Sequence, residues 1–424
     1  MATATILVAF PNGRPPAPVP ERGVTMGRGI RRIGFGALVA VLATGCTEED
    51  WAAFFDVDVY FVKLETQPAQ TVGVALDLAD ELGLEPIHVY DGVTQGFSVR
   101  MSPWLAAEVE GIREVAYVQR DEPRQRIPDR GEPELGENEL PESIARIGGP
   151  YLGGVSFDGC HVAVVDSGID AHHPDLVVAG EHDVVARSGG PAAPGADPNG
   201  HGTHVAGTIG AQANGFGVVG VAPGVPLHAV RVIGPSGFAY TTDIVAGLEY
   251  VLRNPEICVV NLSLGSAGNP HASRDILRDG IERLEAEGVV VVVAAGNAAS
   301  DTSGYTPAGY EAGLAVSAYD ASGGWDRGFA TFSNYGAAVA VSAPGVDVRS
   351  TWPGGGYASI SGTSMAAPAV AGAAAVYRAL RPSASVNEVR SVLISTGENG
   401  YAGQSGRHPE PMVDVAALVR AGGG

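Results

Sequence analysis

The sequence predicts an α/β protein: a large domain of three layers around a central, mostly parallel sheet, preceded by a small α+β domain. Two observations carry this. From residue 160 onward, near-continuous apolar runs ("HVAVVDSG", "PLHAVRVI", "CVVNLSLG", "VVVVVAAGN", "GLAVSAY") alternate with helical patterns, as expected for strands buried on both faces. Before them, residues 57–121 read in the order βαββαβ, the split βαβ or ferredoxin-like pattern.

The bulk composition agrees. A chain of 424 residues with 45% hydrophobic content can bury one large core and one small one. The 60 glycines and 29 prolines are dispersed without a period, which implies tight turns and close backbone approaches instead of a repeat. A net charge of −21, with Lys63 the sole lysine, excludes the clustered cations that nucleic acid binding needs.

Residues 1–46 read as an N-terminal extension plus an export signal. Beginning at Met26, "MGRGIRRIGFGALVAVLATGC" places Arg28, Arg31 and Arg32 before an apolar stretch over 33–43 and then small residues. That stretch is too short to span a bilayer as a mature helix. "LATGC" resembles a bacterial lipobox, which makes Cys46 a candidate for acylation and the envelope membrane a candidate tether; ordinary secretion with cleavage nearby is the alternative.

In the small domain, "VDVYFVKL" is a strand and "AQTVGVALDLADELGL" a helix. "PIHVYDGVTQGFSVRM" is a hairpin with Gly92 near its turn, "SPWLAAEVEG" a second helix and "VAYVQRD" a last strand. Residues 122–141 are charged and proline-rich, cannot offset their chain entropy by burial, and read as an exposed linker open to proteolysis. The large domain occupies 142–424.

Within it, three polar residues stand where strands end and helices begin, the place where open α/β sheets gather working groups. Asp166 ends "VAVVD", His201 opens "HGTHVAGT" and Ser364 opens "SMAAPAVAGAAAVYRAL". Each alone is ordinary: an aspartate after a strand caps a turn, and a serine before a helix caps the helix. Together, in the order Asp, His, Ser, they resemble the subtilisin-like serine proteases, or subtilases, through "VVDSGID", "HGTHVAGT" and "GTSMAAP" over roughly 142–420. The resemblance implies a subtilisin-like fold and a peptidase acting through an acyl-enzyme. Its chemistry requires these residue types: His201 takes the proton of a weakly nucleophilic hydroxyl, Asp166 orients the ring, and Ser364 attacks. Asn297 in "VVAAGNAAS" would supply an oxyanion donor beside the Ser364 N–H.

The same resemblance implies that the front domain is a propeptide, an intramolecular inhibitor and folding aid, and that proteins or peptides are the substrates. Gly237, Phe238 and Ala239 would flank one side of an extended substrate, and Ser263, Leu264 and Gly265 the other. Tyr305 in "YTPAG" is similar to the proteinase K branch and would lie near the primary pocket, with broad cleavage after apolar or aromatic residues expected. That branch also implies a disulfide between Cys160 and Cys258; such a bridge needs neighbouring strands with matched starts, and free buried thiols are the alternative. No cofactor is needed for the chemistry. A structural calcium is compatible with Asp175, Asn214 and loop carbonyls, whereas Ala340 stands where many relatives place the acid of a second site. "HGTHV" lacks the glutamate of H-E-x-x-H, so His204 reads as structural, as do His172 and His173. An inactive surface-binding relative and an esterase remain as rivals; the full residue set opposes the first, and "GTSMA" in place of G-x-S-x-G opposes the second.

Overall fold

The computed structural model describes residues 57–122, 140–187, 193, 195–234, 237–322 and 328–423. The export signal with Cys46, and all of the linker except Glu122, Leu140 and Pro141, lie outside the described residues.

The front domain follows the predicted order. Strands β1 (Asp58–Leu64), β2 (Pro86–Tyr90), β3 (Gly96–Met101) and β4 (Val115–Arg120) form an antiparallel sheet ordered β2-β3-β1-β4, with helices α1 (Pro68–Leu82) and α2 (Pro103–Glu110) between them. Pro68 starts α1, where its missing N–H costs nothing, and Gly83 ends it at φ 68°, a left-handed turn that glycine adopts without a Cβ clash. Ser102 caps α2 by accepting from the Leu105 amide. Strand alternation divides β1: Tyr60, Val62 and Leu64 join the core beneath the helices, whereas Phe61 faces the opposite way.

The large domain is built on an eight-stranded sheet. Its order is β13 (Gly328–Phe329), β12 (Leu314–Asp320), β10 (Val290–Ala294), β8 (Ile257–Leu262), β5 (His161–Asp166), β7 (Leu227–Arg231) and β6 (Val178–Asp183), with β14 (Val339–Pro344) also paired to β12. All these pairings are parallel except β12 with β13. Alternation again sets the layers. Val162 and Val164 face the core that contains α3 (His201–Gly210) and α6 (Thr363–Leu380), while Ala163 and Val165 face that of α4 (Thr241–Arg253) and α5 (Ile276–Ala286). Short ladders pair β9 (Ser266–Ala267) with β11 (Tyr305–Thr306), and β15 (Val348–Trp352) with β16 (Gly356–Ile360).

Cys160 and Cys258 form a disulfide with Cα atoms 4.8 Å apart. The register that sets His161 against Ile257 aligns the starts of β5 and β8 and brings the cysteines together. Among the described residues no helix is long and apolar enough to cross a membrane.

The open face of the front sheet lies against α4 and α5: Phe61, Tyr90 and Val93 share one core with Ile244, Leu248, Leu277 and Ile281. Polar contacts frame it. The Asp121 carboxylate accepts from the Thr241 and Thr242 amides, where α4 begins, and from the Thr242 hydroxyl, which satisfies amides that have no partner within the helix. Glu249 accepts from the Gly92 and Val93 amides at 2.9 Å each. Lys63 reaches Asp279 at 3.2 Å, and His88 Nε2 lies 3.0 Å from Asp243.

Candidate active site

The candidate residues come off the C-terminal ends of four adjacent strands. Asp166 ends β5, the segment 263–265 leaves β8, Asn297 follows β10 and the segment 237–239 follows β7. Val164 pairs with Asn261, so β5 and β8 end side by side, β5 on Asp166 and β8 just before Ser263.

Asp166 Oδ1 accepts from His201 Nδ1 at 2.8 Å and from the Ser167 amide at 2.7 Å. Both Asp166 and His201 are fully buried. The glycine after the histidine is a steric requirement, because a Cβ on Gly202 would lie 2.1 Å from the Gly168 carbonyl oxygen. Burial by itself lowers the His201 pKa, but the Asp166 charge and hydrogen bond, with the Asp197 charge behind them, hold it above the usual histidine value. With Nδ1 on Asp166, His201 Nε2 is enclosed and has no hydrogen-bond partner.

Ser364 is the second residue of α6 and is buried. Its hydroxyl donates to the Ser263 carbonyl at 3.2 Å, and the Ser263 hydroxyl donates to the Ser364 carbonyl at 2.8 Å. The proline of "SMAAP" explains the second bond. Pro368 lies four residues after Ser364 and has no N–H, so the Ser364 carbonyl lacks its helical donor and Ser263 takes its place. Ser263, expected to flank substrate, is thus wholly enclosed and holds Ser364; Asn261 Nδ2 in turn donates to the Ser263 hydroxyl at 2.8 Å.

Asn297 is exposed, and its orientation is fixed from behind. Its Oδ1 accepts from the Thr363 amide and hydroxyl, both at 2.9 Å, which leaves Nδ2 directed into the space beside the Ser364 amide. Near the N-terminus of α6, that amide has no carbonyl four residues back within the helix. Next to it opens a pocket of about 310 Å³, including its solvent mouth, lined by Leu264, Gly265, Ala294, Ala295, Asn297 and Tyr305 among others, and reaching Ser364. Gly237, Phe238 and Ala239 do not line it: Phe238 is 43% exposed, and Ala239 pairs back with Ile233 in a bridge at the end of β7.

Three supporting residues escaped the sequence reading. Asp197 is buried and accepts from the Ser167 hydroxyl, the Gly200 amide and both the amide and hydroxyl of Thr203. Burial raises its pKa against those hydrogen bonds. Thr363 orients Asn297, as above. Asn334 accepts from the Ala298 and Ser300 amides and donates to the Ala295 carbonyl, which fixes the loop after β10. Only the turn signal "DPNG" hinted at Asp197.

Of the three histidines read as structural, His204 and His173 are held by carbonyls, whereas His172 is exposed. His204 Nε2 meets the Val348 and Ala358 carbonyl oxygens, and burial drops its pKa to about 3, so the ring is neutral. His173 Nε2 bonds the Gly356 carbonyl. Asp175 and Asn214 do meet, but it is the Asn214 amide nitrogen that faces Asp175 Oδ1, at 3.0 Å, while the Val218 amide and the Tyr357 hydroxyl donate to Oδ2. Calcium requires oxygen where this arrangement presents nitrogen. Turning the amide would also break the bond that Asn214 Oδ1 accepts from Phe216, so the donor set as arranged does not fit the ion.

One end of the sheet thus gathers an aspartate–histidine pair, a helix-borne serine and an asparagine amide, the arrangement that a subtilisin-type hydrolase requires. The Subtilase family model matches residues 158–409. An alkaline protease of Alkalihalobacillus alcalophilus is 35% identical over 390 residues, covering 92% of this chain and 96% of that protein. Subtilisin Savinase of Lederbergia lenta is 41% identical over 283 residues, 66% of this chain and 99% of that protein. The crystal structure of a cold adapted subtilisin-like serine proteinase aligns with a TM-score of 0.54 at 31% identity, over 64% of this chain and 96% of that one. The chain belongs to the subtilase family and is a serine endopeptidase.

Proposed function

We propose that Asp166, His201 and Ser364 form the catalytic triad of an exported endopeptidase made as a zymogen. His201 Nε2 receives the Ser364 proton as Oγ bonds to the scissile carbonyl carbon; Asp166 holds the imidazolium that forms. The carbonyl oxygen becomes an oxyanion, placed against Asn297 Nδ2 and the Ser364 amide. Collapse breaks the C–N bond, with the proton on His201 passing to the leaving amine, and water then releases the acyl group by the same steps in reverse. For this the Ser364 hydroxyl leaves the Ser263 carbonyl and turns to His201, the kind of tightening that apo sites undergo when substrate binds.

The observation that carries this reading is the buried 2.8 Å bond between Asp166 and His201 Nδ1, with His201 Nε2 left unpaired. The apolar pocket walls of Leu264, Ala294 and Ala295, with the ring of Tyr305, favour cleavage after apolar or aromatic residues. The cover that the front domain places over α4 and α5 supports its role as a propeptide, removed by cleavage in the linker; the export signal supports an extracytoplasmic site of action, with Cys46 the candidate lipid anchor. Casein digestion by the purified wild type, Ser364→Ala and Asp166→Asn proteins tests the assignment. Activity is expected only in the wild type, apart from a residue near background in Asp166→Asn; caseinolysis retained by Ser364→Ala would defeat it.

A further inference from the structure

At the other end of the sheet lies a cluster that peptide hydrolysis does not use. His161 opens β5, His228 is the second residue of β7, and Glu256 immediately precedes β8. His161 Nδ1 stands 3.0 Å from His228 Nε2, and Glu256 Oε1 stands 3.9 Å from that same nitrogen. The three ligand atoms all lie within 4.8 Å of one another, the one such group of histidine, cysteine or acidic side chains among the described residues.

Two further observations point to a built site. His228 is buried, and its other nitrogen, Nδ1, lies 2.9 Å from the Tyr250 hydroxyl of α4. With the Nδ1 proton donated there, the Nε2 lone pair is aimed at His161 and Glu256, which is how an outer hydrogen bond fixes the tautomer of a metal-binding imidazole. Space is reserved as well: a Cβ on Gly180 of β6 would fall 2.5 Å from His228 Nδ1 and 2.7 Å from the Tyr250 hydroxyl oxygen, so this pair requires glycine on the neighbouring strand.

We propose that His161, His228 and Glu256 bind Zn²⁺, with water in the fourth position, as an exchangeable clamp on the N-terminal edge of the sheet. Zinc bonds of about 2.0–2.2 Å to nitrogen and oxygen place tetrahedral ligand atoms roughly 3.3 Å apart. The 3.0 Å and 3.9 Å separations bracket that value. The Glu256 side chain, 36% exposed, has room to close, while its backbone carbonyl is already tied to the His161 amide at 2.8 Å. His161 carries its proton on Nε2 in the bound form, so two neutral imidazoles and one carboxylate face the ion. The clamp joins β5, β7 and the chain entering β8 beside the Cys160–Cys258 bridge, which ties β5 to β8 alone.

The test uses the full chain without a polyhistidine tag, carrying Ser364→Ala so that it stays intact, stripped with a chelator and then dialysed. Titration calorimetry with ZnCl₂ should show one ion bound per chain, and the unfolding temperature should rise with zinc concentration. Glu256→Gln, at a partly exposed position where folding is not at stake, should weaken zinc at least about tenfold, the lower bound for losing even an outer partner; His161→Gln should do the same. Failure to take up zinc, or equal affinity in Glu256→Gln and His161→Gln, would overturn the proposal. Neither outcome depends on the peptidase assignment.

Discussion

Ser263 and Ser364 hold each other through two reciprocal hydrogen bonds, each hydroxyl donating to the other's carbonyl oxygen. The pair links the end of a sheet strand to the first turn of the central helix, and it exists because Pro368 supplies no amide to the Ser364 carbonyl. Ser263→Ala therefore strands a buried carbonyl. A loss of about 1–3 kcal/mol is expected in urea unfolding of the otherwise inactive Ser364→Ala chain, and a fall in kcat in the active one, because the nucleophile loses its anchor. Unchanged stability would show that the bond is idle.

Asn297→Ala should lower kcat roughly 100- to 1,000-fold while moving KM little, since the donor serves the oxyanion and not the ground state. That magnitude is the one established for a subtilisin and is taken over by family likeness. Thr363→Val keeps the amide bond to Asn297 but removes the hydroxyl bond, so its loss in kcat should be smaller than that of Asn297→Ala. Steady-state kinetics on a peptide anilide separates the two.

His201 must be neutral to accept a proton, so kcat/KM should fall as pH drops through its pKa, which the Asp166 and Asp197 charges hold above the usual histidine value. Asp197→Asn removes one of these charges. The acid limb of the pH profile should then move to lower pH, and a limb that stays in place would remove Asp197 from the electrostatics of the site.

Docking of the front domain should depend on pH through Asp121, whose pKa burial raises to about 6, against an ordinary 3.8 when exposed. Its docked form holds the proton more tightly, so docking is strongest below about pH 4 and weakens as pH rises through about 6. Glu249, also raised by burial, acts in the same direction. In a Ser364→Ala chain clipped within the linker, release of the front domain should be faster at pH 8 than at pH 4, and Asp121→Asn should flatten the difference.

Much of this was legible in the sequence for a physical reason. Strands buried on both faces leave continuous apolar runs, and helices that start at strand ends leave polar residues at the junctions, so Asp166, His201 and Ser364 stand out by position, while their joint role and that of Asn297 came from the family resemblance. The Cys160–Cys258 pairing followed from the family resemblance, and the parallel register of β5 and β8 accounts for it. What stayed hidden depends on partners far along the chain. Asp197 and Thr363 matter because of which amides they meet, and Ser263 faces α6 instead of the cleft because Pro368 leaves the Ser364 carbonyl, 101 positions further on, without its helical donor. The direction of the Asn214 amide likewise cannot be read from residue type, since nitrogen and oxygen sit on the same side chain.

In the proposed triad one hydroxyl, activated through one imidazole, does the chemistry. Labelling with a fluorophosphonate followed by peptide mapping should give a single adduct on Ser364, lost in Ser364→Ala and strongly slowed in His201→Ala; an adduct on another residue, or equally fast labelling without His201, would overturn the assignment.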